Sequence, residues 1–427
     1  MALTGNRTYV GFGFGAIQSG LFLFEAYHSG AFRRLVVAEV LPEVVSAVRS
    51  AGGKIMVNIA HHERIEQTSL DSIEVLDPAV PDDRQHLIDA VAEAEEIGTA
   101  IPSVEYYATS QPHSLHRILA AGLSKKVAIS GPRAVIYTAE NNNHAAEILK
   151  SKIMQEISAA QQSAVDLRVR FLNTVIGKMS QVVTDTAEIH QRDLATMTSD
   201  LPRAFLVESF NQILISKIQF DEPYDRGITK FIEKVDLLPF EEAKLYGHNA
   251  THALGGYLGS LMGMKYIAEL EAVLGMTSFL RRAFLEESGW ALFQKFCGMD
   301  PLFTRHGYQA YVDDLLERMM NPYLLDRIER VIRDPARKLG WNDRLIGTMR
   351  AALNQGIQPR RYAFGAAAAL AELNEGHYSR DLLNELWQFD DCEPQHKRNV
   401  IALIEQGWQM LEIWREHNFP NLEELFG

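Results

Sequence analysis

Three side chains suited to acting on one polar atom recur within nine residues: the amine of Lys244, the carboxamide of Asn249 and the imidazole of His252. Their offsets are five and eight. On a helix turning about 100° per residue, Asn249 falls about 140° and His252 about 80° from Lys244. All three then lie on one broad face of a single element, which can aim a rigid constellation at one substrate atom. The alternative is a solvated lysine beside a histidine satisfied in the core.

A second set lies near the start of the chain. A β-branched and aromatic run at residues 8–12 leads into Gly13, Phe14 and Gly15, and an apolar helix-like stretch begins at Leu21. Strand, glycine-rich turn and helix form the setting of a dinucleotide fingerprint, where backbone N–H groups and a helix N-terminus approach a pyrophosphate. Gly13, Gly15, Ala16 and Ile17 are the expected cofactor contacts. Gln18 stands where the third glycine of G-x-G-x-x-G is usual, and Gly20 follows two positions later. The next apolar strand carries Glu39 near its end. A carboxylate there accepts from an adenosine ribose and repels a 2′-phosphate, so NAD is expected over NADP. Residues 97–102 form a strand whose small residues Thr99 and Ala100 suit backbone that passes close to a cofactor.

Two further clusters leave alternatives open. Asn141, Asn142, Asn143 and His144 follow the apolar strand at residues 134–139. They are either a turn, which asparagine favours, or part of a site at the carboxyl end of a strand. Arg330, Arg333, Arg337, Lys338 and Arg344 fall within fifteen residues of an otherwise acidic chain. They form either a solvated face or an anion site for a phosphate or polar sugar chain, for which arginine forks are suited.

The elements that must position these residues follow a simple order. Strands and helices alternate through the first part: a helix at 42–51, a polar β-like stretch at 54–77, helices at 84–96 and 114–123, and the strand at 134–139. That alternation predicts a doubly wound parallel sheet. From about residue 200 the pattern is helical, with amphipathic segments at 254–274, 279–296, 308–320, 342–355, 362–373 and 396–417. The expected fold is therefore an α/β Rossmann-type domain over residues 1–195, followed by a mainly α-helical substrate and catalytic domain over 196–427. At 427 residues, two domains are the ordinary outcome.

Composition narrows the function classes. A net charge of -13 argues against a nucleic-acid surface, which needs a basic patch. Cys297 and Cys392 are too few for a disulfide framework or a cysteine zinc site. There is no run of eighteen apolar residues, so no membrane span is expected. The first ten residues pass straight into an apolar strand without the pattern of a signal peptide, and a cytoplasmic location is expected.

Taken in order, the motifs resemble the polyol-specific long-chain dehydrogenases, the mannitol dehydrogenase family. The resemblance rests on residues 12–20 (FGFGAIQSG), 138–142 (TAENN), 207–211 (VESFN), 244–252 (KLYGHNATH), 321–326 (NPYLLD) and the basic segment 330–344. It implies metal-independent, NAD-dependent hydride transfer at a polyol carbon. Lys244 would be the general base, Asn249 and His252 its partners, and Asn141 a second carboxamide. Arg333, Arg337 and Lys338 are the candidate substrate-binding cations. A polyol phosphate is the expected substrate, with mannitol 1-phosphate and fructose 6-phosphate as the default pair. An unphosphorylated sugar alcohol or a sugar acid is the alternative, and a non-catalytic NAD-binding regulator is a third reading. A monomer or homodimer is expected.

Overall fold

The computed structural model describes residues 5–426. Residues 1–4, which open the stretch expected to lack a signal peptide, and residue 427 lie outside the described part. The chain divides into two compact units, Met1–Leu237 and Leu238–Gly427.

In the first unit the apolar runs become β1 (Arg7–Phe12), β2 (Phe32–Ala38), β3 (Ile55–Ala60), β4 (Ile65–Leu70), β5 (Ile73–Leu76) and β6 (Glu96–Thr99). They are followed by β7 (Ala134–Thr138), β8 (Val169–Val175), β9 (Ser180–Val183), β10 (Ala204–Glu208), β11 (Leu214–Ser216) and β12 (Ile232–Lys234). The main sheet has the order β12-β11-β8-β7-β6-β1-β2-β5. From β8 to β5 its neighbours are parallel, and β11 turns antiparallel to β8. Strands covered on both faces need apolar residues at every position rather than alternate ones. Val135, Ile136 and Tyr137 are accordingly all fully buried. The covering helices Pro42–Ser50 and Pro81–Glu93 each begin at a proline, whose fixed φ and missing N–H suit a first helical position.

Two expectations change here. The stretch at 54–77 serves two sheets: β3 and β4 pair antiparallel in a second sheet of order β4-β3-β10-β9, while β5 returns to the edge of the main sheet. The domain boundary expected at 195 falls inside the first unit. Residues 204–234 supply β10, β11 and β12, which hydrogen-bond to β3, β9 and β8 and so belong to the first unit.

The second unit is helical. At its centre lies Arg360–Leu373, whose residues Arg361 to Ala371 are all buried, several of them alanines. A helix apolar all round is a core helix, and small residues let its neighbours approach. A Cβ on Gly407, in the helix Pro394–Glu416, would stand 2.6 Å from the carbonyl oxygen of Ala363, and one on Gly365 2.5 Å from Leu254 Cδ1. The helix expected at 254–274 is interrupted. It runs as Ala250–Leu261, stops at left-handed Gly263 (φ 73°) and resumes as the 3₁₀ turn Ile267–Ala272. The one expected at 279–296 is split by a π turn, Ala283–Gly289. Among the described residues no helix is long and apolar enough to cross a membrane.

Gly407 gives a direct test of this packing. Gly407→Val drives a branched side chain into the Ala363 backbone, and overpacking of this kind typically costs about 1–3 kcal/mol. The denaturant midpoint should fall with its slope unchanged; an unchanged midpoint would show that the two helices separate freely.

Candidate active site

Lys244 and Asn249 lie on a π turn, Ala243–Asn249, set between the short helix Leu238–Glu242 and the helix Ala250–Leu261. A π turn closes hydrogen bonds from i to i+5 and is often found at functional sites. The wider turn alters the geometry expected of a regular helix. With more residues per turn, residues five apart stand at a smaller angle than the roughly 140° of a regular helix, so the turn favours Lys244 and Asn249 on one side. The inserted residue also leaves backbone carbonyls to be satisfied from elsewhere. Tyr246 O accepts from Thr348 Oγ1 at 3.0 Å, from the helix Arg344–Asn354. Gly247 packs so closely that a Cβ would meet the Phe284 ring at 2.5 Å.

Lys244 is half-buried, and its amine donates no hydrogen bond to any described residue. Burial first, then the positive charge of Arg344, lowers its pKa from 10.5 to about 8, with Glu241 opposing. One turn on, His248 is 5% exposed and its Nδ1 has no hydrogen-bond partner among the described residues. Burial, then His252, Arg318, Lys244 and Arg344, holds His248 well below the ordinary range, so its imidazole is neutral.

His252 meets a carboxylate. Its Nε2 stands 3.0 Å from Oδ2 of Asp326, though not in ideal hydrogen-bond alignment. Asp326 is 3% exposed, and its Oδ1 accepts from Arg330 Nε at 2.8 Å. The segment that follows can lie against the Lys244 helix because that helix carries glycines on the facing side. A Cβ on Gly256 would stand 2.7 Å from Val331 Cγ1, and one on Gly259 2.6 Å from Ile328 Cδ1. Tyr257 OH also donates to Ile332 O at 3.0 Å.

The basic run therefore does not act as one unit. Arg330 is tied to Asp326. Arg333 is exposed, and Arg337 is exposed and paired with Asp334 at 3.1 Å. The structure does not gather these last two with Lys338: Arg333 follows the end of the helix Ile328–Ile332, and on the short helix Pro335–Lys338 Arg337 is exposed while Lys338 is buried. Lys338 is 3% exposed, and its amine has no hydrogen-bond or ion-pair partner among the described residues. Burial, then Arg344 and Arg337, lowers its pKa to about 8. Arg344 bonds Asp343 at 2.8 Å and lowers the pKa of Lys244, His248 and Lys338 alike. Asp326 and His248 had no assigned role in the sequence, although both lie in the quoted stretches; their contacts are long-range or set by burial.

In the first unit the glycine turn has the form a phosphate cradle needs. Gly13 has φ 83°, and a Cβ there would stand 2.6 Å from Ala100 O. A Cβ on Gly15 meets nothing within 4 Å, so its backbone faces open space. Glu39 is buried, accepting from Phe14 N at 3.1 Å, Val40 N at 2.6 Å and Leu41 N at 2.9 Å. It thus ties the glycine turn to the end of β2. Gln18 explains the missing third glycine. Its side chain lies over Gly11 and donates to Tyr9 OH at 2.7 Å, while Gly20 takes the close approach, against Val207. Ala16 is buried and Ile17 half-buried.

Thr99 is buried and donates to Glu140 Oε2 at 2.8 Å; Glu140 Oε1 accepts from Ile101 N at 2.9 Å. Glu140 precedes Asn141, which is exposed. The turn alternative holds for Asn142, whose Oδ1 accepts from His144 N at 2.8 Å.

The family model described as the mannitol dehydrogenase Rossmann domain matches residues 7–225, and that of the mannitol dehydrogenase C-terminal domain matches 236–405. A mannitol-1-phosphate 5-dehydrogenase of Geobacillus stearothermophilus is 29% identical over 346 residues, covering 77% of this chain and 82% of that enzyme. One from Exiguobacterium sibiricum is 28% identical over 377 residues, 87% of each. The fold matches Pseudomonas fluorescens mannitol 2-dehydrogenase, solved with NAD and D-mannitol (TM-score 0.71, 16% identity, 96% and 93% coverage). It also matches a D-sorbitol dehydrogenase (TM-score 0.74, 14% identity, 97% and 94% coverage).

The environment of Lys244 yields a direct expectation. Competitive labelling of its amine across pH should give an apparent pKa near 8, whereas a value near 10.5 would mean that the amine is solvated.

Proposed function

Because the chain belongs to the mannitol dehydrogenase family, and is thereby a polyol-dehydrogenase-type oxidoreductase, we propose that it interconverts a polyol phosphate and a ketose phosphate with NAD. Mannitol 1-phosphate and fructose 6-phosphate are the default pair, in keeping with the names of the relatives at 28% and 29% identity. The observation that carries the phosphate reading is Lys338, a residue 3% exposed whose amine has no hydrogen-bond or ion-pair partner among the described residues and lies in the field of Arg344, which also acts on Lys244. An ammonium with no partner of its own is free to take an anion, and a substrate phosphate supplies one. The carboxylate of a sugar acid would also satisfy it, and that is the second reading.

The first unit's residues fit NAD. Gly13, Gly15, Ala16 and Ile17 would hold the pyrophosphate, with Gly15 opening onto free space. Glu39 would meet the ribose and disfavour a 2′-phosphate, and Thr99 and Ala100 would line the path of the cofactor. NAD, when bound, supplies the hydride acceptor.

Oxidising a secondary alcohol also requires removal of the hydroxyl proton. Lys244 Nζ takes it: at about 8 its pKa lies near working pH, where a general base is most effective. Asn249 donates a carboxamide N–H to the oxygen as negative charge develops, and Asn141 is given the same role. His252 contacts the substrate beside that oxygen. Lys338 and Arg344 hold the anionic end of the substrate; Arg333 and Arg337, which are exposed, are not retained in that role.

A panel of polyols, polyol phosphates and sugar acids, each assayed with NAD and NADP, tests this reading. The highest kcat/KM should fall on a polyol phosphate with NAD. Preference for an unphosphorylated polyol would remove the role given to Lys338, and preference for NADP the role given to Glu39.

A further inference from the structure

Asp326 has no part in the chemistry described so far, yet it is a tightly held carboxylate beside the Lys244 helix. It is 3% exposed, and its two oxygens have different neighbours: Oδ2 stands 3.0 Å from His252 Nε2, while Oδ1 takes Arg330 Nε at 2.8 Å and Nη2 at 2.7 Å. Its backbone is held too, since Asp326 O accepts from Ile267 N at 2.9 Å. Burial pushes its pKa up, but His252 and Arg330 together hold it below the usual carboxylate range, so the group is ionised.

An ionised carboxylate only accepts hydrogen bonds. A ring nitrogen 3.0 Å from it is favoured as N–H, and the tautomer of a histidine is set by the partner of one nitrogen. We infer that Asp326 is a positioning residue that fixes His252 as the Nε2–H tautomer, leaving Nδ1 of the neutral ring as a hydrogen-bond acceptor. Toward the polyol, His252 Nδ1 then accepts from a hydroxyl adjacent to the reacting carbon and helps orient the substrate, which leaves the reacting O–H for Lys244 while the carboxamide of Asn249 donates to the reacting oxygen. The pairing also explains Arg330, which holds Oδ1 and so dictates which oxygen of Asp326 faces the imidazole. The kinetic part of this inference rests on the reading of His252 as a substrate contact; the tautomer does not.

The test exploits Arg330. In Asp326→Asn, the arginine can bond only the amide oxygen, so the amide N–H₂ is left facing Nε2. An N–H donor at that position forces the ring into the Nδ1–H tautomer, turning its other nitrogen from acceptor into donor. Nitrogen-15 histidine labelling reads this directly on the neutral-ring plateau of the titration, with the His252 signal assigned by its loss in His252→Gln. Nε2–H in the unaltered protein and Nδ1–H in Asp326→Asn are the expected results. Nδ1–H in the unaltered protein, or Nε2–H in both, would overturn the inference.

Kinetics separate a positioning role from a structural one. Asp326→Asn should lower kcat by about 10–100-fold, the usual effect of losing an orienting partner, with KM for NAD unchanged. In a His252→Ala background the same change should cost little more. Additive losses would mean that Asp326 acts on the fold and not through His252. If the tautomer switches as expected but no polyol is turned over, the functional reading fails while the Asp326–His252 pairing stands.

Discussion

A lysine amine with no hydrogen-bond partner among the described residues, half-buried in the field of Arg344, is the constraint around which the helical unit is arranged. Desolvation disfavours the charged form, and a neighbouring cation adds to the effect. Because the folded pKa of about 8 lies below the ordinary 10.5, the lysine lowers stability in full below about 8. That cost fades as the pH rises toward 10.5. A solvated lysine would carry no such cost and would offer almost no neutral amine at neutral pH. The chain keeps the costly arrangement, which is the behaviour expected of a functional site.

Holding that amine requires a backbone that does not relax. The π turn that carries Lys244 and Asn249 is pinned on several sides: Thr348 bonds its Tyr246 carbonyl, the Phe284 ring fills the space beside Gly247, and Thr251 bonds Tyr362 OH at 2.7 Å just beyond it. Tyr362 belongs to the buried stretch of the central helix, so the turn is anchored to the core and not to a loop. Gly256 and Gly259 then admit the segment bearing Asp326, Arg330 and Lys338 to the same helix. Small residues thus serve chemistry here by letting charged ones come near.

Much of this was legible in the sequence. The alternation of strands and helices pointed to the doubly wound sheet, and the spacing of Lys244, Asn249 and His252 placed them on one element. What escaped was long-range or lacked a local signal. No residue pattern announces a π turn, so the angles assumed for a regular helix were off. The three-residue strands β11 and β12 are too short to show periodicity and exist only through their partners, which is why the domain boundary was set too early. In the basic run, sequence could not separate Lys338, which turns inward, from Arg333 and Arg337, which turn outward. The partnership of Asp326 with His252 joins residues far apart in the chain and needed the fold.

The central claim is that Lys244 is the base, and its removal is the most direct test. Lys244→Ala should leave NAD affinity nearly unchanged, since the assigned cofactor contacts lie on the first unit. Single-turnover oxidation of the best polyol substrate should fall by at least the roughly 10²–10⁴-fold typical of general-base catalysis. Turnover within a few-fold of the unaltered enzyme would show that Lys244 only shapes the fold and would contradict the account.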